Sequence, residues 1–260
     1  FHAVGALFSV LSGLDPATSV LMLGQGISAC VGLAVYALAK QLSKDWRIGL
    51  LAAVFVTFVT KMPGYYLSWG RYTLLIGVMI LPVAMAEAIR VWDNHDHWWQ
   101  LAGLSLLTAG TLLSHYFTAF LFVLFLAVLG IQWLVETIRS KSANWKPITS
   151  IAIATFTGLI LASRWYYRIF VYSSAASRPV FRVMEAETLK TAWDYLYYLV
   201  GPTSGYILIG LGLIGLIWSV FKTKKVHFQL WAILAMFFAL ATGFGLMNFR
   251  NDYFALVEFI

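Results

Sequence analysis

Cationic and phenolic side chains recur in the short segments that separate long apolar stretches of this chain. A guanidinium or ammonium group beside tyrosine hydroxyls suits a phosphate or pyrophosphate group, because such groups form charge-assisted hydrogen bonds with its oxygens. A phosphate-binding site is therefore predicted if the fold brings these segments to one face. The candidate residues are Lys61, Tyr66, Arg71, Tyr72, His115, Tyr116, Arg164 and Arg250.

Each candidate also has a purely structural interpretation. Arg71 follows Trp69 and Gly70 and is equally suited to extend to the membrane interface at a helix start. His115 lies in a tight turn between two apolar runs, where a histidine serves as a cap or a hydrogen-bond partner. Arg250 and Asp252 can form a surface ion pair. The aromatic clusters suit interface anchors.

Familiar motifs of soluble enzymes are absent from the sequence. It contains no GxxxxGK[ST], GxSxG or HExxH pattern. The single cysteine, Cys30, excludes a disulfide within the chain and a Cys/His zinc spacing. The segment 93–97 is rich in Asp and His, but a solvated loop is the preferred interpretation. No metal site is predicted, and the cofactor stays unknown.

Composition places the chain in a membrane. Of its 260 residues, 61% are hydrophobic and only 11% are charged, and the mean hydropathy is +0.80. Soluble proteins carry roughly 25% charged residues, so lipid must solvate much of this surface. The net charge of +7 is then attributed to topology and to contact with membrane lipid, and no nucleic-acid partner is predicted.

Hydropathy predicts an all-α, polytopic membrane helix bundle with about eight full spans, a truncated ninth and a juxtamembrane helix. A surface helix is predicted over residues 1–12, with the tail of a truncated span as the alternative. Gly13, Asp15 and Pro16 supply a C-cap, an N-cap and a first helical residue. Residues 1–260 are interpreted as a fragment of a longer transmembrane domain. The predicted spans are 16–39, 48–60, 73–89, 101–114, 117–135, 148–162, 206–221 and 228–247, with a ninth from 253.

Alternate loops are short and basic, which predicts that they are cytoplasmic. These loops contain Lys40, Lys44, Arg47, Arg90, Arg139, Lys141, Lys146, Lys222, Lys224 and Lys225. Glu87 and Glu136 are predicted to pair with Arg90 and Arg139 at i,i+3 spacing. The candidate residues then share the opposite, extracytoplasmic face with a long loop at 164–205. An ion-coupled transporter usually keeps ionisable residues near the bilayer midplane. No acidic or basic residue lies at the centre of a predicted span of this chain.

Several of these segments resemble one class of membrane enzyme. They are residues 1–16, residues 33–40 (the end of a predicted span, closed by a basic residue), Tyr65 through Leu75, Leu112 through Ala119, and Arg250 through Tyr253. In order and topology they are similar to GT-C glycosyltransferases, the polyprenyl-phosphate-sugar-dependent enzymes related to protein O-mannosyltransferases and aminoarabinose transferases. The likeness covers most of the chain and is strongest over residues 1–125, although each motif alone is degenerate.

The resemblance implies transfer of a sugar from a polyprenyl-phosphate donor to an unidentified acceptor, at the extracytoplasmic face of a prokaryotic plasma membrane. The eight candidate residues would bind the lipid phosphate. The family's catalytic carboxylate would lie upstream of Phe1, and Asp15 does not replace it. A divalent metal, where the family uses one, would be held by residues outside this chain. The alternatives are a multi-span transporter or flippase and a non-catalytic structural subunit.

Overall fold

The computed structural model describes residues 2–61, 63–68, 70–95, 97–173, 207, 210–215 and 217. Within this part the chain is helical and contains no strand. The helices up to residue 173 are α1 (His2–Ser12), α2 (Pro16–Ser43), α3 (Trp46–Val54), α4 (Gly64–Ser68), α5 (Tyr72–Asp93), α6 (Trp98–Ser114), α7 (Tyr116–Ser140) and α8 (Lys146–Ser173). A π-helical segment, Phe55–Val59, continues α3.

Five helical stretches in the described part are long and apolar enough to cross a membrane. They match the spans predicted at 16–39, 48–60, 73–89, 117–135 and 148–162, and they confirm a helical membrane protein. The stretches are Pro16–Ser43, Trp46–Ser68, Tyr72–Asp93, Tyr116–Ser140 and Lys146–Arg168.

The total number of spans stays a prediction. Helix α6 corresponds to the span predicted at 101–114, but its 17 residues extend only about 25 Å. Of the span predicted at 206–221, the described residues are helical. The segments predicted at 228–247 and from 253 lie outside the described residues.

The signals around the start of α2 are confirmed. The Asp15 carboxylate accepts hydrogen bonds from the N–H groups of Ala17 and Thr18, both at 3.0 Å, and Pro16 is the first helical residue. Gly13 ends α1 with a φ of 70°. Helix α1 packs on the first turns of α2, where a Cβ on Gly5 would lie 3.6 Å from Val20. The placement of α1 on a membrane surface stays a prediction.

The core lies around α5, whose spanning window is the most buried of the five. Phe122 and Phe125 of α7, Leu104 of α6 and Ala154 of α8 pack around it. Glycine permits a close approach of α8 to α6, because a Cβ on Gly158 would lie 2.7 Å from the Ser105 carbonyl oxygen. Helix packing in membranes depends on such small residues.

The connections between helices gather at two ends of the bundle. We call the end with residues 43–47, 93–98 and 140–146 the basic end, and the end with residues 60–72 and His115 the site end. An ion pair at 2.7 Å between Lys44 and Asp93 joins two connections of the basic end. The predicted pair of Glu87 and Arg90 is confirmed at 3.0 Å.

Two predictions differ from the structure near helix ends. Glu136 accepts a hydrogen bond from Gln132 Nε2 at 2.9 Å, and no ion pair joins it to Arg139 among the described residues. The first part of the loop predicted at 164–205 is helical, because α8 continues to Ser173. No proline or glycine interrupts the sequence between residues 162 and 173, so nothing there stops the helix.

Candidate functional site

Two helix N-termini lie side by side at the site end. Helices α5 and α7 both begin there, and Gly77 of α5 faces Thr118 of α7. A Cβ on Gly77 would lie 2.5 Å from Thr118 Oγ1 and 3.0 Å from Ser114 Oγ, so the absence of a side chain permits the contact. Gly77 and Thr118 lie within two turns of their helix starts. The residues that precede the two helices, Arg71 and His115, therefore share one end of the bundle.

A tight turn places Arg71 directly before α5. The Arg71 N–H donates to the Tyr66 carbonyl at 3.0 Å, and the Gly70 N–H donates to the Leu67 carbonyl at 3.2 Å. With Gly70 at a φ of 68°, these bonds form a Schellman motif at the end of α4. The left-handed conformation needs glycine, since a side chain there is strained. Gly70 thus fixes where Arg71 leaves the turn.

His115 occupies the one-residue connection between α6 and α7 and caps the second helix. Its Nδ1 accepts the Phe117 N–H at 3.2 Å. Its carbonyl oxygen accepts the Ala119 N–H at 3.1 Å and the Thr118 hydroxyl at 2.8 Å. The capping role was one of the two structural interpretations of the sequence, and the structure confirms it. The imidazole is consequently held in one orientation.

The environment of His115 favours the neutral imidazole. Burial, followed by the positive charge of Arg71, lowers the pKa of His115 from 6.5 to about 4. Desolvation and a nearby cation both disfavour the imidazolium. Both residues directly precede helices that begin at the site end, so Arg71 and His115 lie at the same end of the bundle. At neutral pH the His115 imidazole at the site end is therefore neutral.

The three predicted tyrosines differ in what they contact around Arg71 and His115. The Tyr116 ring lies 4.4 Å from the His115 ring, centroid to centroid, and the residue is 47% exposed. Tyr66 is half-buried and contributes its carbonyl to the turn that positions Arg71. The Tyr72 ring packs against α2, because a Cβ on Gly24 would lie 2.5 Å from Tyr72 Cε1. Tyr116 thus adjoins the site, and Tyr72 joins α5 to α2.

The remaining predicted residues are placed differently. Lys61 is half-buried, and its carbonyl accepts the Tyr65 N–H at 2.9 Å. Arg164 is exposed on α8. It lies two residues before Tyr166, which faces α6, so Arg164 faces away from α6. Arg250 lies outside the described residues. The structure therefore brings together Arg71, His115 and Tyr116, and it does not bring Arg164 to them.

Tyr166 is a contributor that the sequence analysis missed. Its hydroxyl donates to the Leu112 carbonyl at 3.0 Å, in the last turn of α6. The last carbonyls of a helix lack partners within it, so this bond ties α8 to the connection that contains His115. Nothing in the run Arg164-Trp165-Tyr166-Tyr167 distinguishes Tyr166 from its neighbours.

Metal-ligating residues do not cluster in the part of the chain that the structure describes. No group of three or more His, Cys, Asp or Glu side chains is close enough there to hold an ion. The groups at the site end in this part are the basic side chains of Lys61 and Arg71, a neutral imidazole, phenols and helix N-termini.

One protein family matches almost the whole chain. The profile of DUF6541, a family of unknown function, covers residues 1–253. The chain belongs to the DUF6541 family. No curated protein and no solved structure matches this DUF6541 chain. The likeness to GT-C enzymes accordingly rests on the sequence segments alone.

Proposed function

We propose that this DUF6541 chain is part of a membrane glycosyltransferase that takes a sugar from a polyprenyl-phosphate donor. The observation that carries the proposal is the juxtaposition of Arg71 and His115 at the paired N-termini of α5 and α7. Helix N-termini carry partial positive charge and favour anions. The arginine at the start of α5 adds a full charge and a planar fork of donors, which suit phosphate oxygens.

A groove in the bundle supports a lipid-linked substrate. It has a volume of about 300 Å³ and lies between α2, α5 and α6, where Cys30, Ala34, Ile80 and Leu107 line it. Ile80 follows Arg71 by nine residues, or about 13 Å along α5. A phosphate at Arg71 would therefore place an attached prenyl chain within reach of an apolar groove near the bilayer centre.

The same geometry suggests how the chain would assist transfer. The leaving phosphate gains negative charge as the sugar bond breaks. Arg71 and the two helix N-termini would stabilise that charge more in the transition state than in the bound donor. A carboxylate in the segment upstream of Phe1, implied by the GT-C likeness, would serve as the base for the acceptor. In this mechanism the residues of this chain bind the sugar donor and stabilise the leaving phosphate.

Three buried hydroxyls of α6 and α7, at Thr108, Thr111 and Thr118, favour this proposal over a transporter. A transport path needs polar groups that face a cavity. Thr108 and Thr111 instead donate to the Leu104 and Leu107 carbonyls of their own helix, both at 2.7 Å. Thr118 donates to His115 in the same way. The protons of these three hydroxyls are used within α6 and the start of α7, so these groups have no donor left to offer a transported solute.

Sugar transfer by the full-length protein tests the proposal. The protein would be reconstituted in liposomes with a panel of polyprenyl-phosphate sugars, and transfer to endogenous or added acceptors would be measured with labelled sugar. Arg71→Gln should reduce transfer roughly 100-fold, the scale seen when one group that stabilises transition-state charge is removed.

Arg139→Gln is the matched control, since Arg139 is exposed at the opposite, basic end. It should leave transfer unchanged. Absence of transfer from every donor in the panel, or equal activity of the two variants, would contradict the proposal. Expression and detergent stability of both variants would be compared first, so that a folding defect is not counted as lost activity.

A further inference from the structure

We propose that His115 acts as a neutral hydrogen-bond donor to the phosphate of the lipid-linked substrate, through Nε2–H, and not as a base or a cation. This inference rests on the proposed function, because it assigns a role within the same site. It specifies which imidazole nitrogen carries the proton and contacts the phosphate.

The cap of α7 decides the tautomer. A neutral imidazole has one nitrogen with a proton and one with a lone pair. Nδ1 accepts the Phe117 N–H at 3.2 Å, so Nδ1 carries the lone pair and Nε2 carries the proton. Nε2 lies on the far side of the ring from this bond. The side of His115 that is directed away from the α7 backbone is therefore a donor.

Neighbouring groups oppose a second proton. Protonation of Nδ1 would abolish the bond to Phe117 and leave a helix N–H without its acceptor. Arg71 and the positive end of α7 both disfavour an imidazolium at this position. The adjacent Tyr116 adds a phenol, and the Tyr166 hydroxyl is directed to the Leu112 carbonyl.

These constraints give Arg71 and His115 different roles at the site. Arg71 supplies the full positive charge, and His115 supplies one directional donor without charge. His115 has no free lone pair with which to take a proton from an acceptor, because the Nδ1 lone pair accepts the Phe117 N–H and Nε2 is protonated. The base for the acceptor therefore comes from another residue, and His115 acts on the donor phosphate.

Three substitutions of His115 distinguish its role as a hydrogen-bond donor from its role as the N-cap of α7. Asn, Asp and Ser all cap helices well, so each should keep α7 in place. His115→Asn retains an N–H donor, whereas His115→Asp has an acceptor and a negative charge. His115→Ser is uncharged and too short to reach the position of Nε2. Binding of farnesyl phosphate to the full-length protein in nanodiscs would be measured for each, with farnesol as the control that lacks the phosphate.

The Ser and Asp variants should bind farnesyl phosphate roughly tenfold more weakly than wild type or worse, and the Asn variant should lie between. Farnesol binding should be equal in all four proteins. Equal binding of farnesyl phosphate by wild type, Asn and Ser would overturn the inference and would leave the proposed function standing. Absence of phosphate-dependent binding in wild type would overturn both.

Nitrogen NMR of histidine-labelled protein supplies a readout independent of binding, with His115→Asn used to assign the signal. The Nε2–H tautomer should be present at neutral pH, and farnesyl phosphate should shift the Nε2 resonance. An Nδ1–H tautomer or an imidazolium at neutral pH would overturn the inference, whatever the transfer activity.

Discussion

His115 shows how one residue serves the fold and the site together. Its Nδ1 and carbonyl oxygen organise the first turn of α7, and its ring lies beside Tyr116 at the end of the bundle that also contains Arg71. Substitution to Ala would remove both roles, and lost activity in that variant would not distinguish them. The capping variants Asn and Ser are consequently more informative than Ala.

The lowered pKa of His115 predicts a specific dependence of stability on pH. Between pH 6.5 and about 4 the unfolded chain binds a proton at His115 that the folded chain does not. The free energy of unfolding therefore falls as the pH falls through this window, and the contribution is fully present above pH 6.5. It amounts to at most about 3 kcal/mol.

Thermal unfolding in nanodiscs between pH 7 and pH 4 would measure this effect. The melting temperature of wild type should fall more steeply than that of His115→Asn, which keeps the cap and does not titrate. Parallel curves for the two proteins would show that His115 is protonated equally in the folded and unfolded states.

At the scale of the helix, the contacts of glycines decide which elements approach each other. Gly24 of α2 receives the Tyr72 ring and the Leu67 side chain, whereas Gly26 of the same helix has no neighbour within 4 Å of a Cβ position. Through Tyr72 and Leu67, Gly24 supports the turn that carries Arg71. The two glycines provide a matched pair within one span.

Gly24→Ala should destabilise the protein by about 1–3 kcal/mol, because its Cβ would lie 2.5 Å from Tyr72 Cε1. Gly26→Ala should be neutral or stabilise it by up to about 1 kcal/mol, since alanine favours the helix and meets no neighbour. Melting temperatures in one detergent would compare them. A stabilising effect of Gly24→Ala would show that α2 and Tyr72 are less close than described.

At the scale of the whole molecule, the two ends of the bundle differ in character. The basic end contains exposed lysines and arginines together with Trp46, Trp98 and Trp145, all more than half exposed. Tryptophans are typical of either membrane interface, whereas lysines and arginines in short loops are typical of the cytoplasmic one. The site end would then be extracytoplasmic, as the proposed function requires.

Cysteine accessibility tests this orientation. In a Cys30→Ser background, Ser68→Cys would report on the site end and Ser142→Cys on the basic end, and both positions are exposed. A membrane-impermeant maleimide should label Ser68→Cys in intact cells and Ser142→Cys only after the cells are opened. Labelling of both from one side would contradict the arrangement of spans between them.

Local patterns in the sequence determined the helices, the cap at Asp15 and the pair of Glu87 and Arg90, because neighbours along one helix create these features. The same patterns nominated Arg71 and His115. Only the tertiary structure decided that these two residues share one end of the bundle and that Arg164 faces away from α6. Their proximity depends on the contact of Gly77 with Thr118, and the bond from Tyr166 to Leu112 likewise joins distant helices. Such contacts arise from packing between helices, which the periodicity of a single segment does not encode.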